Sequence, residues 1–345
     1  MEFSSLQLGL AIAGGLVLAG VVAQGAWSSR KNTPRQAQPE TAGIDSPDGE
    51  TLPDPVEPVF GPGSPEMSTP EKKPLLDALI DVIAPLALES LCSGEAALAA
   101  VPPTRRVGSK PFAIEGLNAA NQQWETPAAG QRYRAFQAGV QLANRSGALN
   151  DIEYSEFVIK TQAFADAVNG TPEFPEMRDE VARARELDSF AGDHDGQLGF
   201  TLRARNAAWS PGFVIQNASR LGFLPGALPG RMVLPAATPG LPPVLVLGFD
   251  AQAAMAEDPA QSAIRDVTLS LDVPQVDRSE SPFVRMREAA KGLALAMDGV
   301  VTDDNGQPLA SDAMDLIGSE LENLYDTLDA HELSAGSVLA RRLFS

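Results

Sequence analysis

The chain has one cysteine, Cys92, in 345 residues, and two histidines, His194 and His331. A single thiol excludes an internal disulfide and fits a reducing compartment. Two histidines far apart leave no His/Cys constellation for zinc or a redox metal. Positive charge is also scarce: 26 Lys and Arg stand against 45 Asp and Glu, for a net charge of −19. Such a chain repels phosphate backbones and anionic headgroups, which excludes nucleic acid as a partner and leaves any membrane contact to an apolar helix. Signatures of catalysis are missing as well. There is no Gly-x-Ser-x-Gly elbow, neither histidine has a nucleophile beside it, and segment 222–230 carries prolines where a phosphate cradle needs backbone N–H groups. Asp193-His194-Asp195-Gly196 and Asp303-Asp304-Asn305-Gly306 depart from a calcium loop in the place of the glycine and the missing Glu at position 12, so both are expected to be turns. Cys92, at the start of an apolar helix, is expected in the core. The expectation is a protein that binds partners, with no catalytic residue, metal or cofactor.

One long hydrophobic run is present. Residues 6–27 carry no charge, and Leu6, Leu8, Leu10, Ile12, Leu16, Val17, Leu18, Val21 and Val22 supply the surface that a membrane-crossing helix of about 20 residues needs. Trp27 stands at headgroup level, and Arg30, Lys31 and Arg35 follow where basic residues stay cytoplasmic. A cleaved signal peptide would want a basic n-region and a shorter apolar stretch. The expected topology is single-pass, N-terminus periplasmic and the bulk of the chain cytoplasmic. Gly15, Ala19 and Ala23 recur at four-residue spacing, a pattern compatible with weak self-association, although small residues are common in spans.

Residues 32–74 hold ten prolines and eight carboxylates. That composition predicts a disordered, self-repelling tether with an r.m.s. span of roughly 35–40 Å. Beyond it, alternating short apolar runs and helical stretches predict an α+β fold of antiparallel sheets with helices on one face. Strands are expected at 82–88, 110–117, 133–142 and 158–165, with helices at 93–101 and 174–190. The same order then recurs: a strand at 198–204, a helix opened by Ser210 and Pro211, strands at 232–234, 244–249 and 267–273, a helix at 282–297, a strand at 300–303 and a helix at 310–327. Phe174-x-x-Met177-Arg178-Asp179 and Phe283-x-x-Met286-Arg287-Glu288 share F-x-x-M-R-[DE], which suggests a tandem duplication. The expected divisions are 1–28 (anchor), 29–74 (linker), 75–195 (first repeat), 196–330 (second repeat) and 331–345 (tail).

Gln24-Gly25-Ala26-Trp27-Ser28-Ser29-Arg30-Lys31 resembles the end of the membrane span in the bacterial ZipA cell-division family. The strand 243–249 followed by Asp258-Pro259, the strand 267–273 followed by Pro274, and Gly299-Val300-Val301-Thr302-Asp303-Asp304 resemble that family's C-terminal domain. The resemblance covers about residues 1–35 and 196–328. It implies a protein of the inner membrane at midcell that tethers the tubulin-like polymer FtsZ during septum formation by receiving the FtsZ C-terminal peptide on an open sheet face. Carried over strand by strand, that face would hold Phe249, Ala251, Thr268, Ser270 and Asp272, with Phe200 or Leu202 from the first strand. The family has an aromatic where Ser270 stands and a neutral side chain where Asp272 stands. The face formed by Phe136, Ala138 and Val140 in the first repeat is the alternative site. A membrane-tethered, non-enzymatic scaffold for another division or envelope protein is the alternative function.

Overall fold

The computed structural model describes residues 34–37, 76–303 and 306–345, and these divide into two compact units. The expected membrane span at 6–27 and most of the expected linker lie outside the described residues. Among the described residues, no helix is long and apolar enough to cross a membrane.

Among the described residues the first unit comprises 76–194, joined by 341–345. Its elements are β1 (Asp81–Ser93), α1 (Gly94–Ala100), β2 (Arg106–Val107), β3 (Lys110–Asn118), β4 (Trp124–Glu125), β5 (Arg132–Gln141), β6 (Ala143–Asn144), β7 (Gly147–Ala148), α2 (Asp151–Ala167), β8 (Gly170–Pro172) and α3 (Met177–His194). The main sheet runs β2-β3-β5-β1-β8, with β4 on β3, and every pairing is antiparallel. Val82, Ala84 and Leu86 alternate inward from β1 and meet Phe136, Ala138 and Val140 of β5 in the core. Rings close this core: Phe136 meets Phe164 edge-on at 5.1 Å, and Phe157 meets both Phe112 and Phe174 at 6.1 Å. Such pairs add about 0.5–1.5 kcal/mol each beyond the area they bury. The side chains Phe136, Ala138 and Val140, expected as an alternative binding face, are completely buried. They hold the unit together and offer no surface.

The segment 158–165, expected as a strand, lies inside α2. Its β-branched residues Val158, Ile159 and Thr161 favour a strand locally, but the buried side chains Tyr154, Phe157, Thr161 and Phe164 recur at helical spacing. A capping box starts the helix. Asn150 Oδ1 accepts from the N–H groups of Ile152 (3.0 Å) and Glu153 (3.1 Å), and Glu153 Oε2 accepts from the Asn150 N–H at 3.3 Å.

The last five residues, expected as part of a tail, pack into this unit. Leu343 and Phe344 are buried. Arg342 grips the fully buried Asp81 with both arms, Nη2 to Oδ1 at 2.5 Å and Nη1 to Oδ2 at 3.0 Å. Its carbonyl accepts from Gln141 Nε2 at 2.8 Å.

The second unit comprises residues 195–340 together with 34–37. It runs β9 (Gln197–Ala204), α4 (Pro211–Arg220), β10 (Leu224–Pro225), β11 (Arg231–Leu234), β12 (Leu245–Gly248), α5 (Ala251–Ala254), β13 (Asp266–Asp272), α6 (Pro282–Met297), β14 (Gly299–Thr302) and α7 (Ser311–Ala330), and it holds the start of α8 (Val338–Leu343), whose residues from 341 on are assigned to the first unit. The sheet order is β10-β11-β12-β13-β9-β14, again antiparallel. Ser210 and Pro211 open α4 as their types require: Ser210 Oγ accepts from the Phe213 N–H at 3.2 Å. The apolar phase of each strand, Phe200 and Leu202 with Val267, Leu269 and Leu271, faces the helices and is buried.

Strand for strand, β3-β5-β1-β8 in the first sheet follows the same connectivity as β12-β13-β9-β14 in the second. The shared F-x-x-M-R-[DE] motif does not follow it. Phe174 comes after β8 and leads into α3, whereas Phe283 lies at the start of α6, before β14. The motif therefore marks helices that are not counterparts.

Candidate functional site

Period-two alternation gives the second sheet a helix-covered face and an open one. On the open face, registered pairs set Val233 beside Val246, Val246 beside Ser270 and Ser270 beside Gly199. The adjoining row runs Arg231, Gly248, Thr268, Thr201. Val246, Gly248 and Ser270 are half-buried and Thr268 is exposed. A Cβ built on Gly248 would meet nothing within 4 Å, so the middle of this face is open and carries small side chains. An Arg203–Asp266 ion pair at 2.8 Å lies at one end of it. Hydrogen bonding to Asp266 pushes the Arg203 guanidinium up.

The six residues expected to bind a peptide separate into four places. Thr268 and Ser270 lie on the open face. Phe200 and Leu202 do not: at 1% and 0% exposure they point into the core, because Thr268 pairs with Thr201 and Ser270 with Gly199. The open side of β9 is therefore Gly199, Thr201 and Arg203, and the alternation of Leu198, Phe200, Leu202 and Ala204 already carries that signal. Phe249 follows Gly248 and falls on the other side of the sheet. It lines a separate groove of about 510 Å³ with Pro211, Ile215, Leu228, Arg231 and Met232. Ala251 is exposed at the start of α5, behind the Asp250 cap, whose Oδ1 accepts from the Gln252 N–H at 2.8 Å. Asp272 lies at the end of β13, opposite Gln197.

Sequence reasoning did not single out Val233 and Val246, two apolar members of the open face. Their alternation with Met232, Leu234, Leu245 and Leu247 was available, but strands with apolar residues on both sides carry no phase of their own.

Residues 254–320 match the family model of the ZipA C-terminal, FtsZ-binding domain. Part of the second unit is thus similar to the ZipA C-terminal domain. The matched stretch takes in β13, α6, β14 and the first half of α7, which are the central strand of the open face, its neighbour's far edge and the helices behind them. No curated protein matches the chain. Among the described residues of this ZipA-type unit and the first unit, no group of three or more His, Cys, Asp or Glu is placed to hold a metal ion.

Proposed function

We propose that the chain is a membrane-anchored, non-enzymatic cell-division protein. Residues 6–27 hold it in the inner membrane with the N-terminus periplasmic, and the ZipA-type unit, in the cytoplasm, receives the C-terminal peptide of FtsZ at midcell. The observation that carries this reading is the family match over β13, the strand that gives the open face its Thr268 and Ser270. The peptide lies across β12, β13 and β9, with an apolar side chain over Gly248 and further contact to Val233 and Val246. At about 25 cal/mol per Å² of apolar area removed from water, two valines on a face of small side chains give a modest affinity suited to a multivalent polymer. The common strand order of the two sheets supports an origin by duplication, with the open face retained in the second copy.

The test is a titration of labelled FtsZ C-terminal peptide against the full chain. Ser270→Lys places a charged stem between Val246 and Gly199 and is expected to weaken binding at least five-fold. Phe249→Ala, on the opposite side of the sheet, is expected to leave affinity within two-fold. The reverse result moves the site to the groove at Phe249, and no change with either variant removes both surfaces.

A further inference from the structure

Four residues that composition assigns to the tether lie against the ZipA-type unit. The Arg35 N–H donates to the Ala208 carbonyl at 2.7 Å, and the Arg35 carbonyl accepts from the Ser210 N–H at 2.8 Å. Arg35 thus pairs in parallel with Trp209, which itself pairs antiparallel with Ile264. The side chain continues the contact: Nη2 lies 2.8 Å from Asp298 Oδ2, and Nη1 donates to the Met297 carbonyl at 3.4 Å. Pro34 is buried, and Ala37 Cβ lies 3.8 Å from where a Cβ on Gly212 would stand.

Met297 is the last residue of α6, and Asp298 is its left-handed cap at φ 54°. The last carbonyls of a helix lack intrahelical donors and carry the negative end of its dipole, so a guanidinium there is favoured. The Met297 carbonyl also accepts from the indole N–H of the fully buried Trp209 at 2.7 Å. Backbone pairing, a helix-end cap and a buried proline meet in one four-residue segment.

We propose that residues 34–37 are a docking arm, whose single parallel bridge to Trp209 and arginine cap on α6 fix the ZipA-type unit to the N-terminal part of the chain. The dock itself is independent of the anchor reading; its consequence for membrane distance rests on that reading. Seven residues, 28–34, reach at most about 25 Å. With the arm docked, the Pro-rich stretch 38–75 does not set the reach of this unit. The FtsZ-binding face is held close to the bilayer.

The closeness of Ala37 to Gly212 matches the Cβ separation of a disulfide. In the full chain in detergent, on a Cys92→Ala background, Ala37→Cys with Gly212→Cys is expected to crosslink within one molecule at least ten-fold faster than Ala37→Cys with Ser319→Cys. Arg35→Glu should slow the matched pair at least five-fold. The same substitution, without added cysteines, should speed hydrogen exchange of the Ser210 amide about ten-fold, a readout that does not depend on Gly212 tolerating a side chain. Equal rates for the two pairs, crosslinks only between copies, or a Ser210 amide indifferent to Arg35→Glu would overturn the dock. In vesicles, ten Gly/Ser residues inserted within 38–75 should leave a dye on Ser319→Cys at the same distance from labelled lipid, and the same insert after Ser29 should move it away. Crosslinking with no approach to lipid at all would keep the dock and overturn the anchor.

Discussion

Asp81 is the side chain on which the first unit's charge balance turns. It is fully buried, and that burial pushes its carboxyl above the ordinary value of 3.8 against the pull of Arg342 and of the Asp77 N–H, which donates to it at 2.8 Å. A folded-state pKa above the unfolded one means that the folded form keeps its proton to higher pH. Stability from this group is therefore greatest below the unfolded value and declines as pH rises through the folded value. Removing Arg342 widens that window upward. Arg342→Ala is expected to cost about 3–5 kcal/mol at pH 7, because it strands a buried carboxylate. The loss relative to wild type should shrink as pH falls toward the ordinary carboxylate range. Urea unfolding at a series of pH values measures it; a loss independent of pH would mean that Arg342 acts by packing alone.

At the level of elements, α2 shows how a local signal is overruled. Asn150 and Glu153 cap it reciprocally, and Glu153 Oε1 also accepts from the N–H and the hydroxyl of Ser109, both at 2.9 Å. Asn150→Ala should destabilise the first unit by about 1 kcal/mol. Glu153→Ala should cost more, since it also releases Ser109, whose hydroxyl accepts from the buried Lys110 ammonium at 2.8 Å. Comparing the two variants by urea denaturation tests that order. Most elements were legible because one cue sufficed: the Ser210-Pro211 start of α4, and the alternation of Val267, Leu269 and Leu271 in β13. At 158–165 two cues compete, β-branching against an Asn-x-x-Glu cap upstream, and tertiary burial decides for the helix. Of the six expected contact residues, two lie on the open face. Thr268 and Ser270 were reached through their own strand's alternation, whereas the carry-over of Phe200 and Leu202 runs against the pattern of β9, whose Leu198, Phe200, Leu202 and Ala204 share the apolar phase.

For the whole molecule, the unit boundaries are not sequence boundaries. Residues 341–345 complete the unit that begins near residue 76, so a fragment cut near 195 lacks part of its own core. Removing residues 341–345 from the full chain is expected to lower the melting temperature of the first unit and to leave FtsZ-peptide affinity of the ZipA-type unit unchanged. Phe344→Ala alone should cost about 3–5 kcal/mol, the usual range for a buried phenylalanine. Both units also have short edges: β8 and β10 are three and two residues long and each contains a proline, which discourages sheet-to-sheet addition by other chains.

The grip of Arg342 on Asp81 spans 261 positions of sequence. On a ribosome adding about 5–20 residues per second, Asp81 is made roughly 13–50 s before the arginine that neutralises it. During that interval the nascent first unit has a strand carrying an uncompensated carboxylate, and its core lacks Leu343 and Phe344. Its final consolidation thus waits for residues 341–345, made after the second unit has been synthesised, and a message truncated before them would leave the earlier-made unit, not the later one, unfinished.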